Sequence, residues 1–214
     1  MRAIVTLFAV LGFNLVALAE ADIDDKLNTA RTEYYDEMQK VEDAYRKSFS
    51  KALSSATRIE IYLLDFEMTK VKGRETDHDG DWAIGMPEDQ FPITPYEKQS
   101  KILKRKVLTL DEVQLFLPGL QRTIAAEKGA GGAFCHYPIH GVRVWNHEDE
   151  VVFQTSICHY CGNFFMTYPF GGVSWTGLSD AAFGELLEKL MPVPQAEKDR
   201  FEAMRGGKKN DQQK

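Results

Sequence analysis

The chain is short of basic residues, of cysteine and of long apolar runs, and each shortage excludes something. Lys and Arg number 26 against 32 Asp and Glu, for a formal net charge of −6. A net acidic protein carries no electrostatic footprint for a phosphate backbone, so nucleic acid is not an expected partner. Beyond Ala19 no run is apolar enough to span a bilayer. Cysteine occurs three times, an odd number that cannot pair fully within one chain. A nucleophile elbow, a phosphate loop and a catalytic carboxylate pair are also missing from the sequence, and with them the usual signs of hydrolase and nucleotide chemistry. There is no internal repeat.

What is present begins with Met1-Arg2, an apolar run from Ala3, and Ala17-Leu18-Ala19 before the chain turns acidic at Glu20. A short positive start, an apolar core and a small-x-small end describe a secretory signal peptide over residues 1–19. The expected location is periplasmic or secreted, with no stable membrane span after cleavage. That compartment is oxidising, which bears on the cysteines.

Residues 20–56 read as a charged amphipathic helix. From Asp22 to Ser55 there is no Pro or Gly, and Leu27, Ala30, Tyr34, Met38, Val41, Tyr45, Phe49 and Leu53 recur at three- and four-residue steps. The stripe is expected to pack on the following domain. A homodimer through this N-terminal helix is the second reading.

Residues 57–194 read as one α+β domain. Thr57 to Phe66 is a buried strand, the Gly-, Pro- and Asp-rich 73–95 a long loop, and Lys101 to Leu108 a second strand. Thr109-Leu110-Asp111-Glu112 is a capping box opening a helix, which Pro118-Gly119 is expected to kink or split. Short strands follow over Gly141 to Asn146, Val151 to Ile157, Asn163 to Tyr168 and Val173 to Trp175. A last helix runs from Asp180 to about Leu190, and residues 195–214 read as a disordered polar tail. The expected fold is an antiparallel sheet covered by helices, with a long N-terminal helical extension.

Chemistry concentrates between Phe134 and Cys161, which hold every cysteine and all but one of the five histidines. The pattern is Cys135-His136-Tyr137-Pro138-Ile139-His140-Gly141, a hairpin, then Ile157-Cys158-His159-Tyr160-Cys161-Gly162. With the turn centred on Glu148-Asp149-Glu150, Val151 faces His147, and counting back sets Cys158 opposite His140.

This pattern, Cys-x-x-Pro-x-His-Gly followed by Ile-Cys-x-x-Cys, resembles an uncharacterised family of mostly secreted or lipoprotein bacterial proteins. The resemblance spans roughly Thr57 to Pro192. Where that family carries Arg before the motif His and Phe after the first Cys of the pair, this chain has Ile139 and His159. The resemblance implies a fold and a site, and no activity.

Three chemistries suit the site. Cys135, His140, Cys158 and Cys161 form a Cys₃His set of the kind that binds structural zinc, with His136, His147 and His159 as spare candidates. Cys135 paired to Cys158 or Cys161, or the Cys-x-x-Cys closed on itself, would be a disulfide. A Cys beside a His is also a candidate nucleophile, although the pair precedes a strand rather than the helix start that acidifies redox thiols.

A second motif, Asp77, Asp79, Asp81 and Glu88, partly matches a calcium loop but carries Trp82 where the sharp turn needs Gly. The functional expectation is a binding or interaction module for an unknown protein or small ligand, with a structural Cys/His site. The alternative is a thiol- or metal-dependent enzyme using Cys158, Cys161 and His140.

Overall fold

The structure is a computed structural model, which describes the backbone of residues 2–71, 86–126 and 136–211, and side chains within 23–204 of that range. The chain divides into two compact units, Met1–Tyr45 and Arg46–Lys214. The first is helical throughout its described length. Its helix, α1 (Arg2–Ala52), continues as the opening of the second unit. In the first unit Leu27, Tyr34 and Val41, three members of the apolar stripe, stand exposed.

The second unit is α+β. Seven strands form one antiparallel sheet in the order β2-β3-β1-β4-β5-β6-β7. They are β1 (Arg58–Lys70), β2 (Gln90–Ile93), β3 (Lys98–Val107), β4 (His140–Trp145), β5 (Val151–Cys158), β6 (Asn163–Thr167) and β7 (Val173–Gly177). The helices are α2 (Leu110–Ala125), α3 (Ala181–Leu190) and α4 (Gln195–Asp211). The long β1 is an interior strand, between β3 and β4, and its run of Ile, Leu and Tyr is buried on both faces.

Local chemistry sets the helix boundaries. Thr109 caps α2 through the capping box, its hydroxyl accepting from the Glu112 N–H while the Glu112 carboxylate accepts from the Thr109 N–H. Asp180 caps α3 by accepting from the Phe183 N–H at 3.1 Å. Pro118 lies inside α2, which continues past it as one helix instead of splitting. Gly119 lets the two helices meet: a Cβ there would stand 3.0 Å from the Phe183 ring.

Residues opposite one another in antiparallel strands share a face. One face therefore carries Ile59, Ile61, Leu63, Val142, Val144 and His140. It receives Phe49 from the end of α1, against Phe153 at 5.8 Å, and the C-terminal end of α3. The other face carries Glu60, Tyr62, Gly141, Arg143 and Ser156. The sheet curls around this second face until Tyr96, just after β2, meets Trp175 of β7 with ring centroids 5.4 Å apart.

Two stretches differ from the sequence reading. β2 lies inside the stretch read as loop. Its Pro92 is tolerated because β2 is an edge strand, where a missing N–H costs no ladder bond. The stretch read as a disordered tail carries α4 over Gln195–Asp211. Phe201 is its anchor, buried against Phe66, Tyr137 and Tyr160 with centroids 5.2, 5.4 and 6.0 Å away. Arg200 secures the same edge, bonding Asp65 at 2.8 Å and lying over the Phe66 ring at 4.3 Å.

Candidate functional site

Of the expected site residues, His140, Cys158 and Cys161 are described. Cys135 lies outside the described residues, as do Asp77, Asp79 and Asp81 of the calcium motif. Glu88 is exposed in a turn before β2.

The register differs from the estimate by one residue. His140 pairs with Ile157, not Cys158. The difference arises at the turn, where Val151 pairs with Trp145 instead of His147, an offset of two residues; the extra residue Val152, between the pairs Trp145–Val151 and Val144–Phe153, takes one of the two back. One residue of slip exchanges the faces of a strand. His140 therefore stands on the helix-covered face with Ile157, while Cys158 shares the curled face with Ser156 and, across β6, Asn163.

Cys158 is a free, fully buried thiol. It begins a tight turn that Gly162 closes at φ 57, a value open to Gly without strain. The Cys161 N–H donates to Cys158 Sγ at 3.3 Å. Burial pushes the Cys158 thiol up, and backbone N–H groups of Tyr137, Cys161 and Tyr160 only partly offset it. Cys161 is not free.

His140 has no exposed surface and both ring nitrogens are engaged. Nε2 lies 2.6 Å from the Met191 carbonyl oxygen, and Nδ1 lies 2.8 Å from His159 Nε2. A carbonyl only accepts, so Nε2 carries the proton. Burial, reinforced by the neighbouring His159, lowers the His140 pKa to about 4, so the ring is neutral at pH 7 and Nδ1 is an acceptor. His159 must then donate from Nε2. Burial lowers its pKa too. Its Nδ1 is consequently an unprotonated acceptor, and it lies beside Gly184 of α3, 3.8 Å from where a Cβ would stand.

That nitrogen stands at the wall of a cavity of about 650 Å³. Leu63, Leu64, Phe66, Ile139, Val193 and Phe201 give the cavity an apolar lining. Its polar lining is His159, Glu185, Glu188, Glu197, Glu202 and Lys198. Lys198 bonds Glu188 at 2.8 Å, and Arg200 bonds Glu197 at 2.8 Å. The volume and the few converging polar groups are those of a small-molecule site.

On the curled face several buried polar side chains bond one another. His136 bridges Asn163 Oδ1 at 2.7 Å and Ser156 Oγ at 2.8 Å, and packs on Trp175 at 4.7 Å between centroids. Burial lowers its pKa to about 4. Further along, Tyr62 and Arg105 both donate to the buried Glu60 carboxylate. Burial alone would raise Glu60, but these hydrogen bonds outweigh it and hold the carboxyl below its ordinary value. Tyr62 is pushed up to about 12 by burial and by that bond. Arg143 donates to Gln154 at 2.6 Å and lies over Tyr62 and Phe91. The sequence reading passed over this network, although a Glu at the third position of an otherwise apolar strand, Arg58-Ile59-Glu60-Ile61, is its signal. His147 is exposed at the hairpin turn.

Among the described residues no three His, Cys, Asp or Glu side chains group as metal ligands, and no helix is long and apolar enough to cross a membrane. As arranged, His140 fits poorly as a zinc ligand beside Cys158: it faces the other side of the sheet and neither ring nitrogen is spare. Comparison with known proteins returns no matching family model, no matching curated protein and no matching solved structure.

Proposed function

We propose that this is an exported binding module whose ligand is a small molecule held in the cavity bounded by β1, α3 and α4. The observation that carries the reading is the open acceptor nitrogen of His159 at the wall of a cavity of about 650 Å³ that has an apolar lining and a set of charged side chains. In this reading the cysteines serve structure: Cys161 pairs with Cys135 in a disulfide that ties the start of the hairpin to its end, and Cys158 is left as a buried thiol. Supporting that division, Cys158 is free, whereas Cys161 is bonded.

The test is a thermal-shift screen of small apolar compounds against the whole protein and its Gly184→Leu variant. An added Cβ at Gly184 meets Leu178 and His159 only at ordinary contact distance, 3.6 and 3.8 Å, so the helix accepts a side chain there and the longer Leu fills the cavity. Compounds that raise the wild-type melting temperature should lose their effect in the variant. Equal shifts in both proteins would place binding elsewhere and reject this site.

A further inference from the structure

Resting on that reading, the lining decides what chemistry the ligand carries. Among the described residues, every polar side chain lining the cavity is an acceptor except Lys198. His159 Nδ1 is an acceptor because the Met191 carbonyl, through His140, fixes the direction of both hydrogen bonds. Glu185, Glu188, Glu197 and Glu202 accept only, and Lys198, the one cationic lining group among the described residues, is already held by Glu188 at 2.8 Å. Glu188 is answered by Lys198 and Glu197 by Arg200, but Arg200 is shared with Asp65 and Glu67, so the charge around the lining stays net negative. A carboxylate or phosphate ligand would meet like charge with no donor to answer it, and a plain hydrocarbon would leave the His159 nitrogen without a partner.

We propose that the cavity binds an organic ammonium with an apolar tail, its N–H donated to His159 Nδ1, its charge met by the glutamates and its tail lying among Leu63, Phe66, Ile139 and Phe201. The inner end of the site is rigid. His140 is locked between β4 and the end of α3, so His159 is presented in one orientation without the entropy cost of ordering it on binding. The carboxylates stand on α3 and α4, where they meet a charged headgroup that keeps part of its hydration.

The experiment is titration calorimetry of the whole protein at pH 7 with three probes of one tail length: octylammonium, octanol and octanoate. Octylammonium should bind about tenfold or more tighter than octanol, and octanoate should not bind. A Glu185→Gln variant, chosen because Glu188 holds Lys198 and Glu197 holds Arg200, should lose much of the ammonium preference while octanol binding stays unchanged. Octanol or octanoate binding as tightly as octylammonium, with binding lost in Gly184→Leu, would overturn the ammonium assignment and leave the cavity as the site. Failure of all three probes to bind would overturn both.

Discussion

His140 Nδ1 lies 2.8 Å from His159 Nε2, and the direction of that hydrogen bond is set by a third group, the Met191 carbonyl at the far side of the His140 ring. The pair links the buried sheet to the cavity. Removing the inner ring should therefore reach the outer one. His140→Leu keeps the volume but leaves the Met191 oxygen and the His159 N–H without partners in the interior. An unsatisfied buried polar group costs about 1–3 kcal/mol. Urea unfolding of the variant should show a loss of that order, and probe binding at the cavity should weaken with it. Unchanged stability would mean that the pair is not a fixed contact.

Stability should fall on mild acidification, in a window set by the histidines. His136 and His140 have folded pKa values lowered from 6.5 to about 4. Their unfolded forms take up a proton first as the pH drops, so the stability due to their neutral burial is complete above about pH 7 and is lost between roughly pH 6.5 and 4. His159, lowered in the same direction, adds to the loss. Near pH 5 each of His136 and His140 should contribute a slope of roughly 1 kcal/mol per pH unit. Glu60, whose folded pKa is lowered, loses its contribution only as the pH falls through that value, below the unfolded 4.5. The check is a series of urea melts from pH 7.5 to 4, with His136→Gln as the control. The variant is less stable at pH 7 but should show the shallower slope; a slope equal to wild type would remove His136 from the account.

The order of strands and helices was legible because it rests on local chemistry. The Thr109 capping box, the apolar period of α3 and the polar turn His147 to Glu150 between two apolar strands each state their element in a few residues. What escaped were features fixed by distant contacts. The pairing of His140 with Ile157 depends on the width of the turn, which sets Val151 against Trp145, and on one extra residue, Val152, that takes back one position; no periodicity reports either. β2 is four residues long and contains a proline, so it reads as strand only once β3 is beside it. α4 is mostly polar, and Phe201 becomes informative only when Phe66, Tyr137 and Tyr160 are seen to surround it. The site moved for the same reason. The sequence located the cysteines and histidines, but tertiary packing selected His159, which had been only a spare ligand candidate, as the group facing a cavity.

The thiols can be counted. If Cys161 is closed onto Cys135, the unfolded but unreduced protein has one alkylatable thiol, Cys158, and the reduced protein has three. Native protein at pH 7 should label far more slowly than unfolded protein, because Cys158 is fully buried and burial pushes its pKa up. Mass spectrometry after iodoacetamide treatment gives both numbers. Three thiols without reductant, together with co-purifying zinc, would support metal ligation in place of the disulfide. Rapid labelling of the native protein would restore the reactive-thiol reading.

Phe201 should act on the cavity more than on the sheet. It closes one wall and holds α4 against Phe66, while the rest of α4 offers little apolar surface. Replacing a buried Phe by Ala costs about 3–5 kcal/mol when the whole domain must absorb it. Here the chain has a less costly response, which is to release α4, and the global loss is then capped by the free energy of docking that helix. Phe201→Ala should accordingly raise amide exchange across residues 195–204 and abolish probe binding, with protection in β4 and β5 retained. The discriminating outcome is the distribution of exchange. If β4 and β5 lose protection together with α4, the helix is part of the cooperative core and the cavity cannot be opened separately from the fold.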